Sequence, residues 1–174
     1  MSRIDDARVA YQSCSDQIEI KSNFFVDELN LIDNFQTWFS ITVLHMWILN
    51  ARLRQEGPAG KEMRQELFNH LWLDVEIQLD KAGARKNVGT LIKGLIDGYY
   101  GQTLAYDEGL AKGDAVLASA LYRNVFRANV NSDNKFVNLV ELGKLTEYVR
   151  LQLQNLENSV RADVLTSRTK FLDL

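Results

Sequence analysis

The sequence predicts an all-α protein that folds as a single-domain bundle of about six helices around a central buried helix. The 174 residues contain ten glycines and only one proline, so few positions interrupt a helix, and good helix formers are plentiful. Hydrophobic residues make up 46% of the chain, which is enough to fill the core of one domain. Apolar residues also recur at helical spacing in several segments.

The chain divides into three regions by composition. Residues 1–22 are mixed and polar, and we expect them to form an N-terminal arm. Residues 23–157 are expected to form the helical domain, which begins with a short helix over residues 23–29. Residues 158–174 are expected to be a polar C-terminal tail.

The second predicted helix starts at residue 34 or 35 and runs to about residue 55. Asp33, with Gln36 three positions later, resembles a capping box. Between Trp38 and Leu49 the segment is apolar nearly all round, which in a soluble protein indicates a helix at the centre of a bundle. Gly57 and the single proline follow, where a helix is expected to end.

The third and fourth helices are predicted from their apolar periods, over residues 61–81 and 87–110. A stripe of small residues also runs along the fourth helix. Glycine inside a helix costs up to about 1 kcal/mol relative to alanine, so we expect close approach of another helix to compensate. That helix can belong to a partner or to this chain. The stripe consists of Gly94, Gly98, Gly101, Ala105 and Gly109.

The last two predicted helices follow a clear break in the helical pattern. Gly113 and Asp114 end the fourth helix, and Asp114 is the expected N-cap of a fifth helix that runs to about Phe126. A polar loop over residues 129–134 then leads to a sixth helix over residues 135–157.

Composition excludes several functional classes. A net charge of −3 and an isoelectric point near 5.4 argue against a general nucleic-acid binder, and we expect no DNA partner. The lone Cys14 and two histidines cannot build a closed Cys/His zinc site. No stretch approaches the roughly 20 apolar residues that span a bilayer. The first twenty residues lack a secretory signal, so either no targeting is needed or the chain begins after its targeting segment.

A metal-binding enzyme or redox protein is the alternative we considered from another class. Glu66, His70 and Asp74 recur at four-residue spacing on one side of the third helix, and bundles do build metal sites from such residues. The Glu-x-x-His pairs of di-iron bundles are absent, however. We therefore favour a polar boundary stripe in which Asp74 bonds to a neighbouring helix, and we expect His45 to be a satisfied core histidine rather than a haem ligand.

Nothing in the sequence assembles a catalytic set. There is no Gly-x-Ser-x-Gly motif, and Asp107 and Glu108 point about 100° apart on a helix. Two tetrads, Tyr106-Asp107-Glu108-Gly109 and Leu121-Tyr122-Arg123-Asn124, instead place polar side chains beside apolar faces. We interpret this as a binding module without enzyme activity and without a cofactor.

Basic residues cluster around two of the predicted turns. A solvated loop explains such clusters simply, whereas contact with an acidic partner, anionic lipid or RNA is the more specific interpretation. An RNA adaptor without a client protein is therefore a third hypothesis. The first cluster is Arg52, Arg54, Lys61 and Arg64, and the second is Lys81, Arg85 and Lys86.

Several short motifs follow one another between residues 24 and 157. They are Phe35-Gln36-Thr37-Trp38-Phe39, Leu44-His45-Met46-Trp47, Arg52-Leu53-Arg54, Asp74-Val75-Glu76, Gly101, Tyr106-Asp107-Glu108-Gly109, Gly113-Asp114, Leu117-Ala118, Arg123-Asn124 and Tyr148-Val149-Arg150. In their order and spacing, these motifs resemble those of the ubiquinol-cytochrome c chaperone family.

The resemblance implies a helical, non-enzymatic assembly factor of the cytochrome bc1 complex, or complex III. It implies peripheral residence on the matrix side of the mitochondrial inner membrane, or in the cytoplasm for a bacterial relative. It also implies a small helical companion as heterodimer partner, newly made cytochrome b as client and, in fungi, a position near the mitochondrial ribosome's tunnel exit.

Combined with the physical pattern, the resemblance nominates a set of partner-binding residues. Arg123 and Asn124 are either interface donors or internal anchors that lock the fifth helix to Asp107 or Asp74. The candidate partner-binding residues are Gly94, Gly98, Gly101, Ala105, Tyr106, Asp107, Glu108, Gly109, Trp47 and Arg52.

Overall fold

The structure of the protein is a computed structural model that describes residues 3–127, 139–168 and 170–173. These residues form an all-α fold, which confirms the predicted class. The predicted loop at 129–134 and the predicted start of the last long helix at residue 135 lie outside the described residues. The helices are α1 (Arg3–Ser15), α2 (Gln17–Ile20), α3 (Phe35–Leu53), α4 (Gly57–Lys81), α5 (Val88–Lys112), α6 (Asp114–Leu121), α7 (Leu139–Glu157) and α8 (Arg161–Leu165).

Helix α3 is the central buried helix that the sequence predicts. Every residue from Phe39 to Asn50 is buried, and the helix contacts α1, α4, α5 and α7. Its N-cap is Asn34 rather than the expected Asp33, because the extended backbone of Asn34 lets its side chain accept a hydrogen bond from the Thr37 amide at 3.0 Å. A 3₁₀ turn at Arg54–Glu56 ends the helix.

Helix α1 occupies part of the region where the sequence predicts an arm. It packs against α3 and α4, and its apolar residues belong to the core. The expectation of an arm is wrong for this segment, because its apolar residues are spaced to form one helical face. This face consists of Ala7, Ala10, Tyr11, Cys14 and, beyond the helix end, Ile18. A π-helical turn, Asn23–Glu28, then takes the place of the short helix predicted over residues 23–29.

Helix α4 begins four residues before the predicted start. Pro58 lies in its first turn, where the missing N–H of proline leaves no helical hydrogen bond unmade. The sequence placed proline at a helix end, whereas the structure uses it at a helix start. The predicted apolar period is confirmed, since Met63, Leu67, Leu71, Val75 and Leu79 are all buried.

Helices α5 and α6 form an antiparallel hairpin around Gly113. This residue has φ = +106°, a backbone conformation that glycine adopts without strain. Gly113 occupies the cap position that the sequence assigned to Asp114, and Asp114 instead accepts a hydrogen bond from Arg150 of α7 at 2.6 Å. A π-helical turn, Tyr122–Phe126, continues α6 to the predicted end at Phe126.

The C-terminal region packs onto the bundle and is more ordered than the predicted polar tail. Val164 of α8 is buried. The buried Gln152 side chain of α7 accepts a hydrogen bond from the Leu172 amide at 2.8 Å and donates one to the Leu172 carbonyl at 2.9 Å. Phe171 contacts the His45 ring edge-on at 4.8 Å. Two hydrogen bonds of one polar side chain and one aromatic contact thus fix this segment to the core.

Candidate partner-binding surface

The C-terminal half of α5 packs against α3 and forms hydrogen bonds with it. Tyr106 is fully buried, and its ring lies 5.2 Å from that of Trp47. Asp107 accepts a hydrogen bond from Trp47 Nε1 at 2.8 Å and two from Arg54, at 2.7 and 3.0 Å. Such a bidentate pair fixes the relative position of two helices. Trp47, Tyr106 and Asp107, nominated as partner-binding residues, therefore serve internal packing.

Gly109 also takes part in packing within the chain. A Cβ atom built on this residue would lie 2.6 Å from the Cα of Leu117, so α5 and α6 can approach this closely only at a glycine. The neighbouring Glu108 remains exposed and accepts a hydrogen bond from Lys112 at 2.5 Å. This bond and the lysine charge hold the pKa of Glu108 below its ordinary value. Of the tetrad Tyr106–Gly109, Glu108 is the member left to face solvent.

Arg52 connects the C-terminal end of α3 to the C-terminal region of the chain. Its guanidinium pairs with Glu56 and donates a hydrogen bond to the Ser159 carbonyl at 3.3 Å. Glu56 is buried and also pairs with Arg161 at 3.0 Å. Arg52 and Arg54 are thus committed to internal contacts. The first predicted basic cluster is therefore not a shared patch, because two of its four members bond to acidic groups of this chain.

One side of α5 is open from its N-terminal half to just past its middle, whereas Val88, Ile92 and Leu95 on the other side pack against the core. Cβ atoms built on Gly94, Gly98 and Gly101 would meet nothing within 4 Å, so no helix in the described part of the chain fills this stretch of the stripe. Ala105 is half-buried. Large apolar side chains are exposed on the same helix, among them Leu104, which is 72% exposed. The surface formed by Gly94, Gly98 and Gly101 is called the glycine face below.

Asp74 is bonded to a neighbouring helix, as predicted, whereas Arg123 and Asn124 do not have the partners expected of them. Asp74 accepts a hydrogen bond from the Tyr11 hydroxyl at 2.8 Å and one from Gln78 at 3.3 Å. Burial, reinforced by this carboxylate, raises the pKa of Tyr11. Asn124 donates to a carbonyl of its own helix, and Arg123 is exposed. The prediction that Arg123 and Asn124 lock the fifth helix to Asp107 or Asp74 is therefore wrong, because Arg54, Trp47 and Tyr11 fill those roles.

A groove of about 970 Å³ lies between α1 and α4. Leu73 and Ile77 are both exposed along it, and the bonded pair of Tyr11 and Asp74 also lines it. This surface was not predicted from the sequence, because one of its two walls is α1, which was not predicted either. The signal that could have found it is the spacing of the apolar residues between positions 7 and 18, which is that of a helix face.

Glu66, His70 and Asp74, the residues of the metal hypothesis, do not converge on one point. His70 stacks on Tyr11, and Asp74 accepts the hydrogen bond from the same tyrosine. Glu66 lines a separate small pocket beside Ile4 and Leu165. Within the part of the chain that the structure describes, no three His, Cys, Asp or Glu side chains are grouped as metal ligands would be.

His45 is a satisfied core residue, as predicted. One ring nitrogen lies 2.8 Å from the Ile41 carbonyl, and the other lies 2.7 Å from the Tyr148 hydroxyl. A neutral ring fits both contacts, because it donates to the carbonyl and accepts from the hydroxyl. Burial lowers the pKa of His45 to about 3. Both ring nitrogens are thus occupied within the protein.

Comparison with known proteins identifies the family. A family model described as "Ubiquinol-cytochrome C chaperone" matches residues 27–171, which is most of the chain. The chain belongs to this family. A Xenopus laevis protein named ubiquinol-cytochrome-c reductase complex assembly factor 1 is 31% identical over 156 residues, covering 89% of this chain and 74% of the relative. The human protein of that name is 33% identical over 158 residues, covering 89% of this chain and 50% of its own length.

A yeast relative and a solved structure extend the comparison. Protein CBP3, mitochondrial, from Saccharomyces cerevisiae is 32% identical over 155 residues, covering 87% of this chain and 45% of the relative. The chain thus spans about half the length of the human and yeast relatives. The crystal structure of the Cbp3 homolog from Brucella abortus superposes with a TM-score of 0.77, covering 97% of this chain and 92% of that one, at 21% identity. This likeness shows that the two chains share a fold.

No described helix is both long enough and apolar enough to cross a bilayer.

Proposed function

We propose that this protein is a non-enzymatic assembly chaperone for the ubiquinol-cytochrome c reductase complex. The observation that carries this proposal is the match of residues 27–171 to the chaperone family. The relatives from frog, human and mouse are all named as assembly factors of that complex. In a cell with mitochondria the protein acts on the matrix side of the inner membrane, and in a bacterium it acts from the cytoplasm.

The client in this proposal is newly made cytochrome b, held together with a small helical companion protein. A factor that handles a membrane protein needs a surface on which apolar helices can rest. Small residues let the backbones of two helices approach closely, and they are enriched where membrane helices pack together. The glycine face supports this role because it is open and lies on the same helix as the exposed Leu104.

The position of the glycine face on a rigid support favours the same role. Its helix is fixed at the far end by the bonds of Asp107 to Arg54 and Trp47. A binding surface anchored at one end needs little ordering when a partner arrives, which reduces the entropic cost of binding. The tetrad Tyr106–Gly109 therefore contributes to binding through the position of α5 rather than through direct contact.

Co-purification from cells that make cytochrome b and the companion tests the proposal. The test variant carries Gly94→Leu and Gly101→Leu, which add bulk to the glycine face at two positions where a Cβ atom meets nothing within 4 Å. Gly143→Leu is the matched control, because Gly143 is an exposed glycine of α7 that is also surrounded by open space. Circular dichroism and thermal melting establish that all three proteins are folded.

We expect the wild type and the Gly143→Leu control to retain cytochrome b and the companion, and the double variant to lose cytochrome b. Equal retention by all three proteins would show that the client binds another surface. Failure of the wild type to retain either protein would overturn the chaperone proposal itself.

A further inference from the structure

The turn between α4 and α5 forms the most basic part of the molecule. Residues 81–96 contain four basic residues and no acidic one, whereas the rest of the chain holds 16 basic and 23 acidic residues. Lys81, Arg85, Lys86 and Lys93 are all exposed. None of them forms an ion pair with a carboxylate in the part of the chain that the structure describes. These residues form a positively charged tip, flanked by the exposed carboxylates of Asp80 and Asp97, on a protein whose remaining charge is negative.

The same tip exposes apolar side chains among its charges. Leu91, in the first turn of α5, is 44% exposed, and none of residues 88–98 is buried. A helix rises about 1.5 Å per residue, so the axial distance from Val88 to Lys93 is about 8 Å. The polar layer on each side of a bilayer is about 5–8 Å thick. With α5 perpendicular to the bilayer, the segment from Val88 to Lys93, which includes Leu91, therefore fits within one headgroup layer.

We propose that the α4–α5 tip docks this protein on an anionic bilayer surface. Basic side chains are attracted to the negative potential of such a surface, and a neighbouring apolar residue can enter the boundary between headgroups and acyl chains. The composition favours lipid over RNA, because single-stranded RNA is recognised largely by stacking on aromatic rings, and residues 81–96 contain no aromatic residue.

Docking by the tip has a geometric consequence for the glycine face. Gly94 lies six residues after the start of α5, so the face begins about 9 Å along the helix axis from the turn. With the tip in the headgroup layer, the glycine face stands directly beside the membrane. A helix leaving the bilayer would meet this face without crossing open solvent.

Vesicle flotation with the whole chain tests the proposal. The probes are vesicles of phosphatidylcholine alone and of phosphatidylcholine with about 30% phosphatidylserine. We expect binding to the anionic vesicles alone, and we expect about 0.5 M salt to abolish it by screening. Binding to neither vesicle, or equal binding to both, would overturn the proposal.

Charge-reversal variants locate the surface. Arg85→Glu with Lys86→Glu should weaken binding to the anionic vesicles about tenfold or more, since each basic residue near the surface contributes to the attraction. Lys61→Glu with Lys112→Glu makes the same change in net charge at the far ends of the same two helices, about 30 Å away. This control should bind within about twofold of the wild type, because the Debye length at physiological salt is about 8 Å. Equal losses in the two variants would show that net charge, rather than the tip, governs binding.

A single-stranded RNA oligonucleotide is the competing probe. The proposal expects RNA to leave vesicle binding unchanged, and it expects the tip variant and the control to bind RNA equally weakly. RNA that binds the wild type tightly, displaces it from vesicles and fails to bind the tip variant would overturn the lipid assignment. Neither measurement requires cytochrome b, so a failure here is distinguishable from a failure of the chaperone proposal.

Discussion

The two halves of α5 carry the same kind of residue in opposite environments. In the C-terminal half, Gly109 lies so close to Leu117 that a Cβ atom would clash with the backbone. In the N-terminal half, Gly94 and Gly98 face open space, and so does Gly101 just past the middle of the helix. The C-terminal half is also bonded to α3 through Asp107, whereas no residue from 88 to 98 is buried.

This difference separates two uses of a helical glycine. Gly109 is needed because the absence of a side chain allows α6 to pack against α5, so its cost in helix propensity is offset within the chain. Gly101 has no such compensation, so its cost of up to about 1 kcal/mol is offset by no contact within the part of the chain that the structure describes. An uncompensated glycine is the pattern expected where the close contact is made with another molecule.

The largest effect is expected from Gly109→Leu. The side chain would overlap the backbone of Leu117, so the α5–α6 hairpin would have to move apart. We expect the free energy of unfolding to fall by about 3 kcal/mol, the upper end of the range for an overpacked core position. Denaturant unfolding followed by circular dichroism measures this change. A loss below that of Gly101→Leu would mean that the two halves do not differ in packing.

A smaller loss is expected from Asp107→Ala. The substitution leaves Trp47 Nε1 without its acceptor and removes the bidentate partner of Arg54. An unpaired polar group of this kind costs about 1–3 kcal/mol, and the partial exposure of Asp107 places the expected value near the lower limit. A double-mutant cycle with Arg54→Ala isolates the contribution of the Asp107–Arg54 ion pair to the free energy of unfolding. Unchanged stability in the single variant would show that Asp107 does not hold α5 against α3.

At the glycine face we expect a substitution to stabilise the protein rather than destabilise it. Gly101→Ala should raise the free energy of unfolding by about 0.5–1 kcal/mol, because alanine favours the helix and its methyl group meets nothing nearby. The same denaturant experiment measures it. A destabilised Gly101→Ala protein would show that the face is already in use within the chain.

Hydrogen exchange tests the difference between the two halves of α5 without any substitution. Backbone amides of residues 92–98 should exchange faster than those of residues 102–110, because the first segment contains no buried residue and the second is fixed by Tyr106 and Gly109. Equal protection along α5 would mean that the helix opens as one unit.

Predictions from the sequence succeeded where a long apolar pattern dominates. The burial of α3 follows from an apolar segment with no polar face, and the core of α4 follows from Met63 and the apolar residues at four-residue spacing after it. Helix α1 was missed because it is short and rich in polar residues, and most of the stability of such a helix comes from packing against α3 and α4. The groove between α1 and α4 was missed for the same reason.

The sequence by itself determined the all-α class, the central helix and membership of a recognisable family, because these depend on composition, period and motif order. The tertiary structure decided which motif residues are free to bind. Trp47, Asp107 and Arg52 were nominated for partners, and they bond to residues 53 to 107 positions away or to the buried Glu56. Periodicity places a residue on a face of its own helix, but only the packing of helices distant in sequence determines what that face meets.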